Sequence, residues 1–197
     1  METTRFSQIC EISVDFYCEK WYNHNMKKIT LYLDMDGVLC NFNKKFQELK
    51  SLYPDEPDHT RFRNAVMIHH IFEDLEFMPD AQQLLNHVSR LNGIDIEILT
   101  SMGTPDRTRS EAARRQKQKW LDRWNIPYRS NFVHSKPEKS NFAHDHAILI
   151  DDSIGCITPF IEKLGHGILH VNATDSIRML DSTILQIHSL DTRGEHA

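Results

Sequence analysis

Asp34 and Asp36 stand two residues apart at the end of an apolar run, with Gly37 directly behind them, and Asp151 and Asp152 stand side by side at the end of another. Between them in the chain come Thr100 and Ser101, closing a third apolar run, and then His134, Ser135, Lys136 and Lys139. Four carboxylates gathered at one place repel one another and favour protonation unless a cation sits among them. An all-oxygen donor set suits a hard divalent ion. Magnesium suits it best, because it takes one or two carboxylates and completes its shell with waters and a substrate phosphate. A phosphorylated substrate follows from that choice. In an extended segment, residues two apart share a side, so Asp34 and Asp36 face one way and Met35 the other. An Asp-x-Asp-Gly string by itself is also an ordinary strand-to-turn junction, with Asp bonding backbone amides and Gly taking positive φ. It is not a calcium EF-hand loop: aligning Gly37 with the sixth loop position puts Tyr32 at the first and Asn43 at the twelfth, where Asp and Glu belong. The pieces carry weight jointly, since they recur in order at successive strand ends.

The elements that must hold these residues are legible as short apolar runs alternating with longer amphipathic stretches, the pattern of a parallel sheet with crossover helices. Strands are expected at 29–33, 94–99, 132–133, 147–150 and 167–171, and helices at 79–92, 105–124, 155–164 and 174–188. The fold class is therefore α/β, a Rossmann-like parallel sheet flanked by helices. In such sheets ligands sit outside the carboxyl ends of the strands, which is where the polar residues fall. The stretch between the first strand and the next helix is far too long for a simple loop. It is read as a small helical cap over residues 42–77, inserted into a core of 28–41 and 78–190, with 191–197 as a tail.

The strings Leu31-Tyr32-Leu33-Asp34-Met35-Asp36-Gly37-Val38-Leu39, Ile98-Leu99-Thr100-Ser101, a following lysine, and Ile148-Leu149-Ile150-Asp151-Asp152 resemble the four motifs of the haloacid dehalogenase-like phosphohydrolases. The resemblance spans about residues 28 to 172. With Phe77-Met78-Pro79-Asp80-Ala81 it looks most like the 5′(3′)-deoxyribonucleotidase family of phage and bacterial type. The resemblance implies that Asp34 attacks phosphorus to give an aspartyl-phosphate, splitting one hard displacement into two easier ones. It implies that Asp36 is the general acid and then the general base. Thr100, with Ser101 as second choice, would donate to a phosphate oxygen, although a Ser or Thr here can also be a plain helix cap. The lysine is Lys139, with Lys136 as its rival, and screens the transferring phosphoryl charge. Magnesium would be held by Asp34, the Asp36 backbone carbonyl, Asp151 and Asp152, with Asp152 the direct ligand of the last pair.

The cap should choose the substrate. Phe42, Phe46, Phe62 and Phe72 offer a base-stacking face or simply a cap core, and His69-His70 is read as facing the entrance without binding metal. The segment 107–123 holds seven basic residues against Asp106, Glu111 and Asp122. It reads as a solvated helix with Ala113, Trp120, Leu121 and Trp124 packed inward, and Arg107 as the one basic residue expected near the phosphate. Cys40 is expected to pack as a small hydrophobe.

Composition narrows the class. The formal net charge is −5, with 40% hydrophobic and 26% charged residues, which excludes disordered and fibrous chains and disfavours a general nucleic-acid binder. Twelve histidines make the charge acutely pH-sensitive. The four cysteines, Cys10, Cys18, Cys40 and Cys156, show no C-x-x-C spacing and are expected as free thiols in a cytoplasmic protein. No apolar run reaches the roughly 18 residues of a membrane helix, and the start lacks signal-peptide character. Residues 1–25 read either as an N-terminal helix or as a leader ahead of a start at Met26. The expected partner is a small phosphorylated molecule, foremost a deoxynucleoside monophosphate. Another small phosphoester, a nucleic-acid 3′-phosphate end, or a phosphate-binding module without activity are the other readings.

Overall fold

The computed structural model describes residues 27–194. Residues 1–26, with Cys10 and Cys18, and residues 195–197 lie outside the described residues. Five strands, β1 (Ile29–Leu33), β2 (Ile94–Ser101), β3 (Arg129–Val133), β4 (Ala147–Asp151) and β5 (His166–Leu169), form one sheet in the order β3-β2-β1-β4-β5. Every pairing is parallel, so each strand needs a crossover and both faces must be covered. The alternation of side chains does this. Leu31, Leu33, Ile148 and Ile150 belong to the larger core, while Tyr32, Leu99 and Leu149 belong to the smaller one on the other face.

The larger core is closed by α3 (Ala81–Val88), α4 (Arg107–Arg123) and α6 (Ala173–Gly194), through Leu84, Trp120 and Leu180 among others. The smaller is closed by α5 (Ile154–Glu162), through Cys156, Ile157 and Phe160. Residues 42–77 contribute α1 (Phe42–Lys50), α2 (Asp58–Met67) and a 3₁₀ turn, Ile71–Asp74. This insert is fastened to α4 by several bonds: Gln116 Nε2 donates to the Val66 carbonyl and Trp120 Nε1 to the Leu75 carbonyl, both at 2.8 Å. Lys119–Glu73 and Arg123–Asp74 ion pairs add to them at 2.9 Å each. The four predicted helices are all present with shifted ends. The largest difference is α6, which keeps Ile184 and Ile187 on the core and then continues through residues expected to be tail, where Asp191 is bonded to His146. Among the described residues no helix is long and apolar enough to cross a membrane.

At the amino ends of the strands α6 is tied back by His146. Its Nε2 donates to the Asp191 carboxylate at 2.9 Å, and its Nδ1 lies 3.0 Å from Asp145. Burial alone would lower the imidazole pKa, but the two carboxylates outweigh it and the net shift is upward. A group whose pKa is raised on folding stabilises fully below its unfolded value, about 6.5, and loses that contribution as pH rises through the folded value. The Tm difference between wild type and His146→Gln should therefore be widest below about pH 6.5 and shrink as pH rises through the raised folded-state value. A gap that stays constant across that range would dissociate the fastening from imidazole charge.

Candidate active site

β1 and β4 are neighbours, with Leu33 opposite Ile150, and the sheet order reverses between them. This is the crevice where open α/β sheets bind ligands. Asp34 leaves β1 bonded through its N–H to the Ile150 carbonyl at 3.0 Å. The chain then turns tightly: the Met35 carbonyl accepts from the N–H groups of Leu39 and Cys40, and the Gly37 N–H donates to the Cys40 carbonyl. Gly37 sits at φ +85°, and a Cβ there would stand 2.1 Å from Asp152 Oδ2. Both the backbone angle and the packing thus require glycine. Gly37→Ala should push the Asp152 carboxylate aside and weaken magnesium binding by about tenfold or more, with a lowered Tm. Calorimetric titration with magnesium measures it, and an unchanged affinity would mean that Asp152 tolerates the displacement.

Lys139 is fully buried on a 3₁₀ turn, Lys136–Phe142. Its Nζ lies 2.7 Å from Asp34 Oδ1 and donates to Asp151 Oδ2 at 2.5 Å. Lys136 instead reaches Ser153 Oγ at 3.1 Å. The structure thus places Lys139, not its rival, between the two acidic motifs. Burial opposes the charge on Lys139, but Asp34 and Asp151 overcome it and hold the ammonium above its ordinary pKa. Asp151 spends its other oxygen on the Ser153 N–H at 2.9 Å. Its own carboxyl is raised, first by burial and then by the Asp34 charge.

Carboxylate oxygens of Asp34, Asp151 and Asp152 lie within 4.8 Å of one another. Asp152, exposed along one edge of the cleft, has its carboxyl pushed up to about 6 by desolvation and by the charges of Asp34 and Asp151. Asp34 Oδ1 is buried and, despite its close ammonium neighbour, has no aligned hydrogen-bond donor. An unsatisfied buried carboxylate oxygen inside a cluster that resists its own charge is what a divalent cation relieves. These residues fit magnesium. Asp36 stands apart, since its carboxylate does not join the cluster.

The Asp36 carboxylate is held elsewhere. Lys117, fully buried on α4, places Nζ 2.6 Å from Asp36 Oδ2 and 2.7 Å from Thr100 Oγ1, and lies 4.6 Å from the centre of the Phe72 ring. The Cys40 thiol, also buried, points to the Met35 carbonyl and to Asp36 Oδ1 at 3.3 and 3.6 Å. Cys40 is therefore a weak donor as well as a packed hydrophobe. The sequence reading misses Lys117, grouping it with the basic residues of a solvated helix. The signal was its register, four residues after Ala113 and three before Trp120, on the stripe already read as inward-facing.

Three expectations change. Thr100, the first choice for the phosphate, is buried against Lys117 and does not line the cavity, whereas Ser101, one strand position on and facing the other way, does. Neither caps α4, because Asp106 does, accepting from the Arg109 N–H. Arg107 is not brought to the acidic rim: its side chain is 91% exposed and pairs with Glu111 at 3.0 Å. His69 bonds the Tyr53 hydroxyl at 2.7 Å, and neither it nor His70 lines the cavity.

A cavity of about 520 Å³ joins the parts. Asp34, Asp36, Ser101, Lys136, Lys139 and Asp152 form its polar end. Phe42, Phe62 and Phe72 form an apolar wall from the insert, while Phe46 packs behind Phe42 with ring centres 5.3 Å apart. The Cys156 thiol, buried behind the cavity lining, is pushed up to about 12, chiefly by burial, and stays protonated at neutral pH.

No protein-family profile and no curated protein matches the chain. Among solved structures, a haloacid dehalogenase-like family hydrolase from Xanthomonas campestris aligns with a TM-score of 0.52 at 12% identity, over 83% of this chain and 100% of that one. A hydrolase from Streptococcus pneumoniae TIGR4 aligns with a TM-score of 0.47 at 14% identity, over 79% and 100%. Five parallel strands in this order, flanked by helices, thus give the chain the fold of a haloacid dehalogenase-like hydrolase.

Proposed function

We propose that this chain is a magnesium-dependent phosphomonoesterase that hydrolyses deoxynucleoside monophosphates through an aspartyl-phosphate on Asp34. The observation that carries the reading is the separation of two neighbouring carboxylates into different surroundings. Asp34 lies against Lys139 inside the acidic cluster, and Asp36 lies against Lys117 outside it. Two carboxylates with different partners can take different roles.

An Asp34 oxygen attacks phosphorus and the ester P–O bond breaks, while Asp36 gives its proton to the leaving alkoxide. Asp36 then takes a proton from water, whose oxygen attacks the phosphorus of the aspartyl-phosphate. Inorganic phosphate leaves and the Asp34 carboxylate is restored. Lys139 and the Ser101 hydroxyl face the phosphoryl oxygens in this reading, and Thr100 serves by holding Lys117. Magnesium bound by Asp34 and Asp152, with Asp151 behind, would offset the negative charge of the cluster and of the phosphoryl group.

The insert supports a nucleotide over a smaller ester. Phe42 and Phe62 are half-buried and line the cavity, so each keeps a surface for a flat base, and the volume suits a molecule of that size. The test is phosphate release from deoxynucleoside 5′- and 3′-monophosphates, ribonucleotides and sugar phosphates, with magnesium or with EDTA. Magnesium-dependent release that is fastest from deoxynucleotides is expected. Turnover confined to sugar phosphates would remove the nucleotide assignment, and silence across the panel would remove the phosphatase.

A further inference from the structure

Beside the catalytic cavity lies a second, more open one of about 700 Å³, between the first turns of α4 and the outer strand β3. Met102, Pro105 and His134 line both, so the two adjoin across a common wall. The second cavity has a charge the first lacks at its apolar end. Arg107 and Arg114 line it, and its single lining carboxylate, Glu111, is already engaged by Arg107 at 3.0 Å. The Arg114 guanidinium is laid over the Phe132 ring at 5.5 Å from its centre and forms no ion pair or hydrogen bond among the described residues. In a chain with more acids than bases, an arginine oriented by a ring and left without an acid presents its donors outward. Planar guanidinium donors of that kind match phosphate oxygens.

The alternative direction for a charged extension of the substrate is closed. On the insert side the catalytic cavity is walled by Phe42, Phe62 and Phe72, and an anion laid against that wall would lose its hydration without a partner. A second negative group turned away from that wall has a path past Met102 and His134 into the neighbouring groove.

We infer that this groove is a second anion subsite, which takes a further phosphate of the substrate whose scissile phosphate stands at Asp34, with Arg114 as its main contact. The inference rests on the phosphomonoesterase reading of the first cavity. The shared chemistry is a nucleotide bearing a second phosphate, either on the other sugar hydroxyl of a nucleoside bisphosphate or as the next diester of a short strand. Those two sources differ only in what lies beyond the second phosphate.

The experiment is calorimetric binding to Asp34→Asn protein with magnesium, which removes turnover. Thymidine 5′-monophosphate, thymidine 3′,5′-bisphosphate and a 5′-phosphorylated thymidine dinucleotide are the ligands, each measured with and without Arg114→Gln. The bisphosphate should bind about tenfold tighter than the monophosphate, as an added charge-assisted contact gives. Arg114→Gln should erase that gain while leaving the monophosphate affinity unchanged, and the gain should shrink as salt rises. A matching gain for the dinucleotide assigns the subsite to strand ends, and a gain for the bisphosphate alone assigns it to small molecules. Equal binding of mono- and bisphosphate, or a gain that survives Arg114→Gln, would overturn the subsite and leave the phosphatase standing. Failure of all three ligands to bind would overturn both.

Discussion

Asp34→Asn is expected to lower kcat for phosphate release by on the order of 10⁴-fold, with little change in Tm. Asn keeps the shape of Asp but cannot form the acyl phosphate, so the loss falls on the chemical step. The fold should tolerate it because Lys139 keeps its 2.5 Å bond to Asp151, and one charge leaves an acidic cluster whose remaining members repel each other less. Acid quenching of the wild-type enzyme during turnover of a ³²P-labelled substrate should trap label on the protein, and the variant should trap none. Were Asp34 only a ligand or a binding group, KM would rise and kcat would survive. That outcome would reject covalent catalysis.

The strand ends were readable because a buried parallel strand must be apolar and its exit must not be. Asp34, Ser101, Lys139 and Asp152 stand at such exits or just beyond, and they line one cavity. The family resemblance favours Lys139 over Lys136, and burial separates them in the structure, where Lys139 is 1% exposed and Lys136 reaches Ser153. Sequence orders Thr100 ahead of Ser101 and the structure puts Ser101 on the cavity instead, because adjacent strand residues face opposite ways and a one-residue uncertainty in phase exchanges them. Arg107 illustrates the opposite difficulty. It is near Thr100-Ser101 along the chain, but the first turn of α4 directs it to Glu111. Sequence proximity carries no information about which side of a helix faces a crevice. Helix ends also drifted, as α3 does by stopping at Val88, since caps and packing decide them locally.

Lys117 is the residue composition concealed, and Lys117→Met should cost about 10²- to 10³-fold in kcat with KM nearly unchanged. A lysine amid arginines looks solvated, but this one is buried and carries its ammonium to Asp36 and Thr100. Its aliphatic stem occupies a methionine-sized space, so Met preserves packing while removing both short bonds. Among the described residues Asp36 then keeps only the weak Cys40 thiol as a side-chain partner, and is free to leave the rotamer that faces the leaving oxygen. Misplacing a general acid affects the transition state more than the bound ground state. Hence kcat should fall while substrate affinity holds. Stability should fall as well, by about 1–3 kcal/mol, because a part-buried carboxylate loses its close cation. The two effects separate by adding Asp36→Asn: if Lys117 acts through Asp36, the double variant should be no slower than Asp36→Asn alone. A further drop in kcat for the double variant would place Lys117 on the substrate itself. Phe72 connects the same ammonium to the insert, its ring 4.6 Å away and its N–H facing Gln116 Oε1. The wall against which the base is proposed to rest belongs to the insert, and the insert is fastened to α4, the helix that carries the group aligning the acid, so a shift in α4 bears on both.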